Sequence, residues 1–186
     1  MSLKFHKQSV EHFLDVLGSE AVSPGGGTAA ALTAATGLAL VEMVARINSK
    51  KRSAAKNVKV SKIRQCRKRL ENIMDEDAAT FLKLSAFYKK KDKGPRYQSA
   101  LKNAAGVPLK ICEISLTGLL WAKHESSFTG RWLMSDLVQA SVLLEAAFRS
   151  AKLNVEINLK ETADKNFVSE IRKRLFLLER KIRSLK

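Results

Sequence analysis

The stretch of sequence that decides the fold is residues 26–48, which read GGTAAALTAATGLALVEMVARIN. Alanine and leucine recur on every side of the helix that this composition predicts, so the helix has no polar face to turn towards solvent. Its small residues allow neighbouring helices to approach closely; they are Ala29, Ala30, Ala31, Ala34, Ala35 and Gly37. We therefore expect residues 26–48 to form a central helix that other helices surround.

Helical patterns also dominate the rest of the chain. Ser9 can cap a helix over residues 10–17, and Asp164 can cap the last helix. Ser135 or Asp136 is the expected cap of the helix before it. The predicted helices between the first and the last, besides the central one, cover residues 56–90, 96–123 with an interruption at Pro108, and 136–152.

Two segments are predicted to lie outside helices: a loop at residues 124–134 and a short extended link at 154–159. The sequence shows no strand pair and no internal repeat. We expect an all-α fold, a multi-helix bundle in one domain over residues 1–186. Its last helix carries an apolar seam that suggests a dimer, formed by Ile171, Leu175, Leu178, Ile182 and Leu185.

The chain is strongly basic, with 34 Lys and Arg against 18 Asp and Glu, a net charge of +16 over 186 residues. Such a surplus favours a polyanionic partner or a small anionic ligand. The basic run at residues 50–69 has no interleaved aromatic residues and matches no nucleic-acid motif, so we interpret it as a solvated face. Cys66 and Cys112 form neither a disulfide framework nor a metal-type pair, and the three histidines are scattered, so no metal site is expected.

Residues 21–41 carry no charge and reach the length of a membrane span. Pro24, the glycines and the many alanines make this run only weakly hydrophobic, which favours a buried helix preceded by a loop. The N-terminus has no apolar region typical of a secretory signal. We expect a cytoplasmic protein without a membrane span.

The most specific local motif is a glycine turn at the start of the central helix, formed by Ser23, Pro24, Gly25, Gly26, Gly27 and Thr28. Three glycines allow a ligand to approach the backbone, and a helix N-terminus offers free N–H groups with partial positive charge. The turn is not a Walker loop, because no Gly-Lys-Ser/Thr follows at the required spacing. The alternative is a tight helix crossing that needs small residues.

Asp77 is the second candidate for a functional residue. On a helical wheel it falls about 20° from Leu70, in the middle of the apolar stripe of its helix. A carboxylate there is costly to bury unless it is paired or functional, and burial can raise its pKa towards that of a general acid or base. A buried ion pair with Lys or Arg is the alternative. Asp75 points to the outer face.

Three further polar positions have structural explanations. Asp136, with Gln139 three residues later, resembles a capping box. Asn154 and Asn158 can satisfy the backbone of a turn.

Taken in order, the motifs resemble the formiminotransferase-cyclodeaminase C-terminal (cyclodeaminase/cyclohydrolase) family over about residues 5–160. The similar segments are SVEHFL at 9–14, SPGGGTAAAL at 23–32, DEDA at 75–78, AGVP at 105–108, SDL at 135–137 and NVEINL at 154–159. The resemblance implies an all-α dimer that acts on folate one-carbon adducts, with no metal and no cofactor beyond the folate. Members hydrolyse 5,10-methenyltetrahydrofolate, or close 5-formiminotetrahydrofolate with loss of ammonia.

With this resemblance the primary interpretation is a cyclohydrolase. Asp77 is then the base, and Asp136 orients the pterin or shares the proton. The glycine turn and Asn158 bind the substrate, and a basic connector holds the polyglutamylated folate tail through Lys50, Lys51 and Arg52. Cyclodeamination is the second interpretation. A non-catalytic binding protein is the third, favoured by Gly130 near the place where the family usually has an Asn.

Overall fold

In a computed structural model, residues 4–50, 60–91 and 93–185 are described. After a 3-10 turn at Phe5–Lys7, the helices are α1 (Val10–Leu17), α2 (Gly26–Ser49), α3 (Val60–Lys90), α4 (Pro95–Ser126), α5 (Arg131–Lys160) and α6 (Lys165–Arg183). The described residues contain no strand. The predicted all-α class is confirmed, and so are the bounds of α1.

The central position of α2 is also confirmed. Its buried residues cover more than half of the helix circumference, and it packs against α3, α4 and α5, while a narrower face with Thr36, Ala39 and Met43 stays exposed. Glycines produce the closest approaches. A Cβ at Gly37 would lie 2.9 Å from Leu144 Cγ of α5, and one at Gly118 of α4 would lie 2.8 Å from Leu38 Cδ2 of α2. Gly37 contacts α5 near residues 140–144 and Gly26 contacts Asn154, so α2 and α5 run antiparallel.

The structure corrects three predictions about α5. Residues 124–126 belong to α4 and α5 begins at Arg131, so the predicted loop shrinks to a short turn. Gly130 is the N-cap, and Ser135 and Asp136 lie within the helix rather than capping it. Residues 154–159 are helical, not extended. Burial of Val155 and Leu159 outweighs the weak helix propensity of the two asparagines between them and before them.

The helix α4 continues through Pro108, where an interruption was predicted. Proline lacks the N–H that would bond to the carbonyl of Ala104 four residues earlier. Asn158 of α5 replaces that donor, because its Nδ2 lies 2.9 Å from the Ala104 oxygen. A side chain from another helix therefore satisfies the backbone where proline cannot.

The last helix packs onto the same core. The side chain of Asp164 accepts a hydrogen bond from the backbone N–H of Phe167, 3.0 Å away, which confirms it as the N-cap. Ile171, Leu175 and Ile182 are buried against the other helices. The apolar seam that suggested a dimer therefore packs within the chain, and an interface between copies would need another surface.

Two helices, Gly26–Ser49 and Pro95–Ser126, are long and apolar enough to cross a membrane by length and composition. In each, 61% of the most apolar window is buried inside the fold. Core helices have the same composition, so this is weak support for a membrane span.

Candidate functional site

A cavity of about 270 Å³ lies at the N-terminus of α2, where α3, α4 and α5 also meet. The glycine turn forms one wall, and α3 supplies a carboxylate. The lining residues are Val22, Ser23, Gly25, Gly26, Gly27, Asp77, Thr80, Phe81, Leu84, Ala104, Asn154, Ile157 and Asn158. The structure thus brings together the glycine turn, Asp77 and Asn158, which are far apart in the sequence.

Asp77 is the ionisable group of this cavity. Its Oδ2 accepts a hydrogen bond from the Thr28 hydroxyl at 2.9 Å, and its carboxyl group also accepts from the Thr28 backbone N–H. Burial raises the pKa of Asp77, although both Thr28 hydrogen bonds act in the opposite direction. Among the described ion pairs none includes Asp77, so the alternative of a buried pair with Lys or Arg finds no support. The carboxyl instead sits on the first turn of α2, as a cap supplied by another helix.

Gly27 is required for this arrangement. A Cβ built there would lie 2.6 Å from the Asp77 Cγ, well inside van der Waals contact. At Gly26 the nearest atoms are those of the Asn154 carboxamide at 3.9 Å, and at Gly25 nothing lies within 4 Å. The glycine turn therefore does two things: Gly27 admits the carboxyl group of Asp77, and Gly25 and Gly26 leave backbone open to the cavity.

The remaining walls combine polar and apolar groups. The hydroxyl oxygen of Ser23 is buried and has no hydrogen-bond partner among the described residues. Pro24 is buried beside it and follows a cis peptide bond. Phe81 is 45% exposed at the rim, and Leu84 is buried. The cavity thus offers a hydroxyl group and a carboxyl group close to an apolar surface, as small-molecule sites do.

Two asparagines of α5, Asn154 and Asn158, line the cavity. Nδ2 of Asn158 is committed to the backbone oxygens of Ala104 and Asn154, at 2.9 Å each, so only its Oδ1 is left to meet a ligand. Asn154 was not among the predicted site residues. The signal that could have found it is its spacing of four from Asn158, which places both on one helical face.

A family model described as formiminotransferase-cyclodeaminase matches residues 9–176, which include every element of the cavity. The chain belongs to the formiminotransferase-cyclodeaminase family. The resemblance drawn from the sequence is confirmed.

The chain is similar to enzymes of both predicted activities. It is 32% identical to a methenyltetrahydrofolate cyclohydrolase of Methylorubrum extorquens, over 90% of this chain and 87% of that protein. It is 31% identical to the formimidoyltransferase-cyclodeaminase of Sus scrofa, over 88% of this chain and 32% of that longer protein. The solved structure of a formiminotetrahydrofolate cyclodeaminase from Thermotoga maritima superimposes with a TM-score of 0.88 at 29% identity, covering 96% of this chain and 92% of that one.

Within one chain of this formiminotransferase-cyclodeaminase family member, two predicted site residues lie away from the cavity. Asp136 is separated from Asn154 by about 27 Å along α5, and Lys50 from Gly26 by about 36 Å along α2, at a rise of roughly 1.5 Å per residue. Lys51 and Arg52 lie outside the described residues.

Cations do approach the cavity from another side. A groove of about 670 Å³ between α3 and α4 shares Thr80 with the cavity and is lined by Lys83, Arg96, Lys102 and Lys110. Lys102 pairs with Asp164 at 2.7 Å, and Lys110 with Glu76 at 2.6 Å. Among the ion pairs of the described residues none includes Lys83 or Arg96, so these two side chains could bind an anionic group.

Asp75 does not face solvent as predicted. Its carboxyl group accepts from the backbone N–H of Phe5 at 2.7 Å and lies 2.8 Å from His6 Nδ1. The N-terminal turn folds back onto α3, which a helical wheel of α3 alone cannot show. Asp75 is therefore a structural residue beside the candidate catalytic one.

Metal ligands are not clustered in the part of the chain that the structure describes: no three His, Cys, Asp or Glu side chains there could hold one ion. Cys112 is buried, which raises the pKa of its thiol to about 12. It is a core residue rather than a nucleophile.

Proposed function

We propose that this protein hydrolyses 5,10-methenyltetrahydrofolate to 10-formyltetrahydrofolate. The observation that carries the proposal is the Asp77 carboxyl group, held with a raised pKa against the glycine turn of the cavity. The similarity to a cyclohydrolase over most of both chains supports this choice of reaction.

The reaction needs one base that also acts as an acid. Water attacks the carbon that bridges the two folate nitrogens, a C–O bond forms, and Asp77 accepts the proton that the water loses. The bond from that carbon to the ring nitrogen N5 then breaks, and the proton on Asp77 passes to N5. The hydroxyl group of the adduct loses its proton to solvent as it becomes the formyl C=O. A carboxyl group with a raised pKa is suited to both steps, because it accepts a proton more readily than an ordinary carboxylate and can return that proton as an acid.

Groups around Asp77 would bind the substrate. The N–H groups of Gly26 and Gly27 at the first turn of α2, with the hydroxyl group of Ser23, would hold its polar edge. Phe81 and Leu84 would contact the ring. Because Lys50 of the same chain lies far from the cavity, Lys83 and Arg96 are the nearer cations that could bind a polyglutamate tail.

Cyclodeamination is the second candidate, supported by the structural likeness to the Thermotoga enzyme. It closes the same ring from a formimino group and expels ammonia instead of adding water. Purified protein should be assayed for the decay of methenyltetrahydrofolate absorbance beside ammonia release from formiminotetrahydrofolate. Asp77→Asn should lower turnover by about 10²-fold or more, since the proton acceptor is lost while shape is kept. Full activity in Asp77→Asn would refute the role.

The protein would act in the cytoplasm as a homodimer, with no cofactor beyond the folate, and without a membrane or a nucleic acid as partner. The positive surface then serves anionic folate tails. Tight DNA binding in low-salt gel shifts that collapses with salt, together with no binding of polyglutamylated folate, would reverse this assignment.

A further inference from the structure

The cavity beside the glycine turn combines one ionisable side chain with several neutral polar ones. Among its lining residues only Asp77 carries an acidic or basic group. The Thr80 hydroxyl group donates to a backbone carbonyl at 2.7 Å, and Nδ2 of Asn158 donates to two others. The Ser23 hydroxyl group is unpartnered within the described part of the chain, and the proposed function places it on the polar edge of the substrate. The carboxamide of Asn154 forms no hydrogen bond with any described residue, so it is free for a ligand.

Asn154 and Asp77 lie on neighbouring sides of the first turn of α2. The Asp77 Cγ lies 2.6 Å from a Cβ built at Gly27, and Nδ2 and Oδ1 of Asn154 both lie 3.9 Å from one built at Gly26. Successive helical residues are about 100° apart around the axis, so the carboxyl group and the carboxamide stand beside each other at the end of the helix. A small group bound in front of this turn therefore meets a proton acceptor on one side and an amide on the other.

The amide has the chemistry to hold either of two small groups. A carboxamide both donates and accepts hydrogen bonds, so it suits water and an amine equally. The lining residues include no Lys or Arg, whose charge would oppose protonation of an amine. The side chains around the first turn of α2 therefore do not select water over ammonia.

We propose that Asn154 holds the group that is exchanged at the bridging carbon of the folate, and that the cavity catalyses two reactions in sequence, ring closure with loss of ammonia and then ring opening by water. This inference rests on the proposed function, which is the second of the two reactions. Their adducts differ only in one group on the bridging carbon, NH2 in the first and OH in the second. One proton carrier and one amide can therefore serve both.

Ring closure balances with Asp77 as the proton carrier. N10 attacks the carbon of the protonated 5-formimino group, a C–N10 bond forms, and the electron pair of the C=N double bond moves to the NH2 nitrogen. Asp77 accepts the proton that N10 loses and donates it to the NH2 group, and the bond from carbon to that nitrogen breaks to release NH3. The positive charge stays on the N5–C–N10 bridge of 5,10-methenyltetrahydrofolate. Water then takes the place of ammonia beside Asn154, and the ring opens as described above.

Product analysis with 5-formiminotetrahydrofolate tests the sequence. The wild type should release ammonia and 10-formyltetrahydrofolate in equal amounts, and methenyltetrahydrofolate should decay faster than it does without protein. Ammonia release with methenyltetrahydrofolate decaying at the uncatalysed rate would overturn both the sequence and the proposed function. Hydrolysis of added methenyltetrahydrofolate without ammonia release would overturn the sequence and leave the proposed function intact. Absence of both activities would refute both.

Variants of Asn154 test its role in the exchange. Asn154→Leu should lower kcat of both reactions by about tenfold or more and should keep the melting temperature, because the carboxamide has no described partner in the fold. Asn154→Asp should shift the acid limb of both pH–rate profiles to higher pH, because a second carboxylate raises the pKa of Asp77. Asn166→Asp, the same change on the exposed first turn of α6, should leave both profiles in place. Unchanged kcat or loss of only one reaction in Asn154→Leu, or an unshifted profile in Asn154→Asp, would overturn the shared role.

Discussion

Replacing Gly27 by alanine tests the geometry on which the site depends. The new Cβ would lie 2.6 Å from the Asp77 Cγ, whereas carbon atoms pack at about 3.5–4.0 Å, so the carboxyl group or the α2 turn must move by about 1 Å. Overpacking of this kind costs about 1–3 kcal/mol, against a gain of up to about 1 kcal/mol from replacing a helical glycine. The free energy of unfolding should therefore fall by at most about 3 kcal/mol.

The effect on turnover should be larger than the effect on stability. A displacement of about 1 Å at a catalytic group can lower the rate by about 10²-fold. Urea denaturation and kcat for methenyltetrahydrofolate would be measured together. Gly26→Ala is the comparison for stability, because its Cβ would rest 3.9 Å from Asn154 and should stabilise. Gly106→Ala has open space in the α3–α4 groove, outside the cavity, and should keep full activity towards a folate that lacks the polyglutamate tail. If Gly27→Ala is stabilised and retains full kcat, the argument for the Gly27–Asp77 contact is wrong.

Three further variants separate structural from catalytic roles. Burial raises the pKa of Asp77 above 3.8, so the free energy of unfolding of the wild type should fall as pH rises between that value and the raised pKa. Asp77→Asn should lack this fall in urea titrations from about pH 4 to 8. Parallel curves for the two proteins would contradict the prediction. Asn158→Ala should lower the free energy of unfolding by about 1–3 kcal/mol, because the Ala104 carbonyl loses its hydrogen-bond donor. The loss should be smaller in a Pro108→Ala background, where the backbone N–H of residue 108 again donates to that carbonyl. Equal losses in both backgrounds would refute the compensation. Asp75→Asn should destabilise by about 1–2 kcal/mol with near-normal turnover, since it weakens the anchor of the N-terminal turn; an unchanged melting temperature would argue against that anchor.

Local pattern was sufficient for much of the fold. The uncharged, small-residue run of α2 indicated a central helix, and the stripe containing Leu70 and Ile73 indicated which face of α3 is buried, as observed. The glycine turn and Asp77 were each selected because they break the local expectation. Both line the same cavity.

The sequence by itself determined the all-α class, the central helix, the buried face of α3 and two of the groups that meet in the cavity. These follow from periodicity and composition within one helix. Only the tertiary structure decided that α4 continues through Pro108 and that α5 continues through residues 154–159, because the compensating contact joins Asn158 to Ala104 from another helix. It alone decided that Thr28, rather than a cation, binds Asp77, and that Asp136 lies about five turns from Asn154 on the same helix. Such partners are distant in sequence, and a local pattern carries no record of which distant side chain supplies a hydrogen bond or a charge.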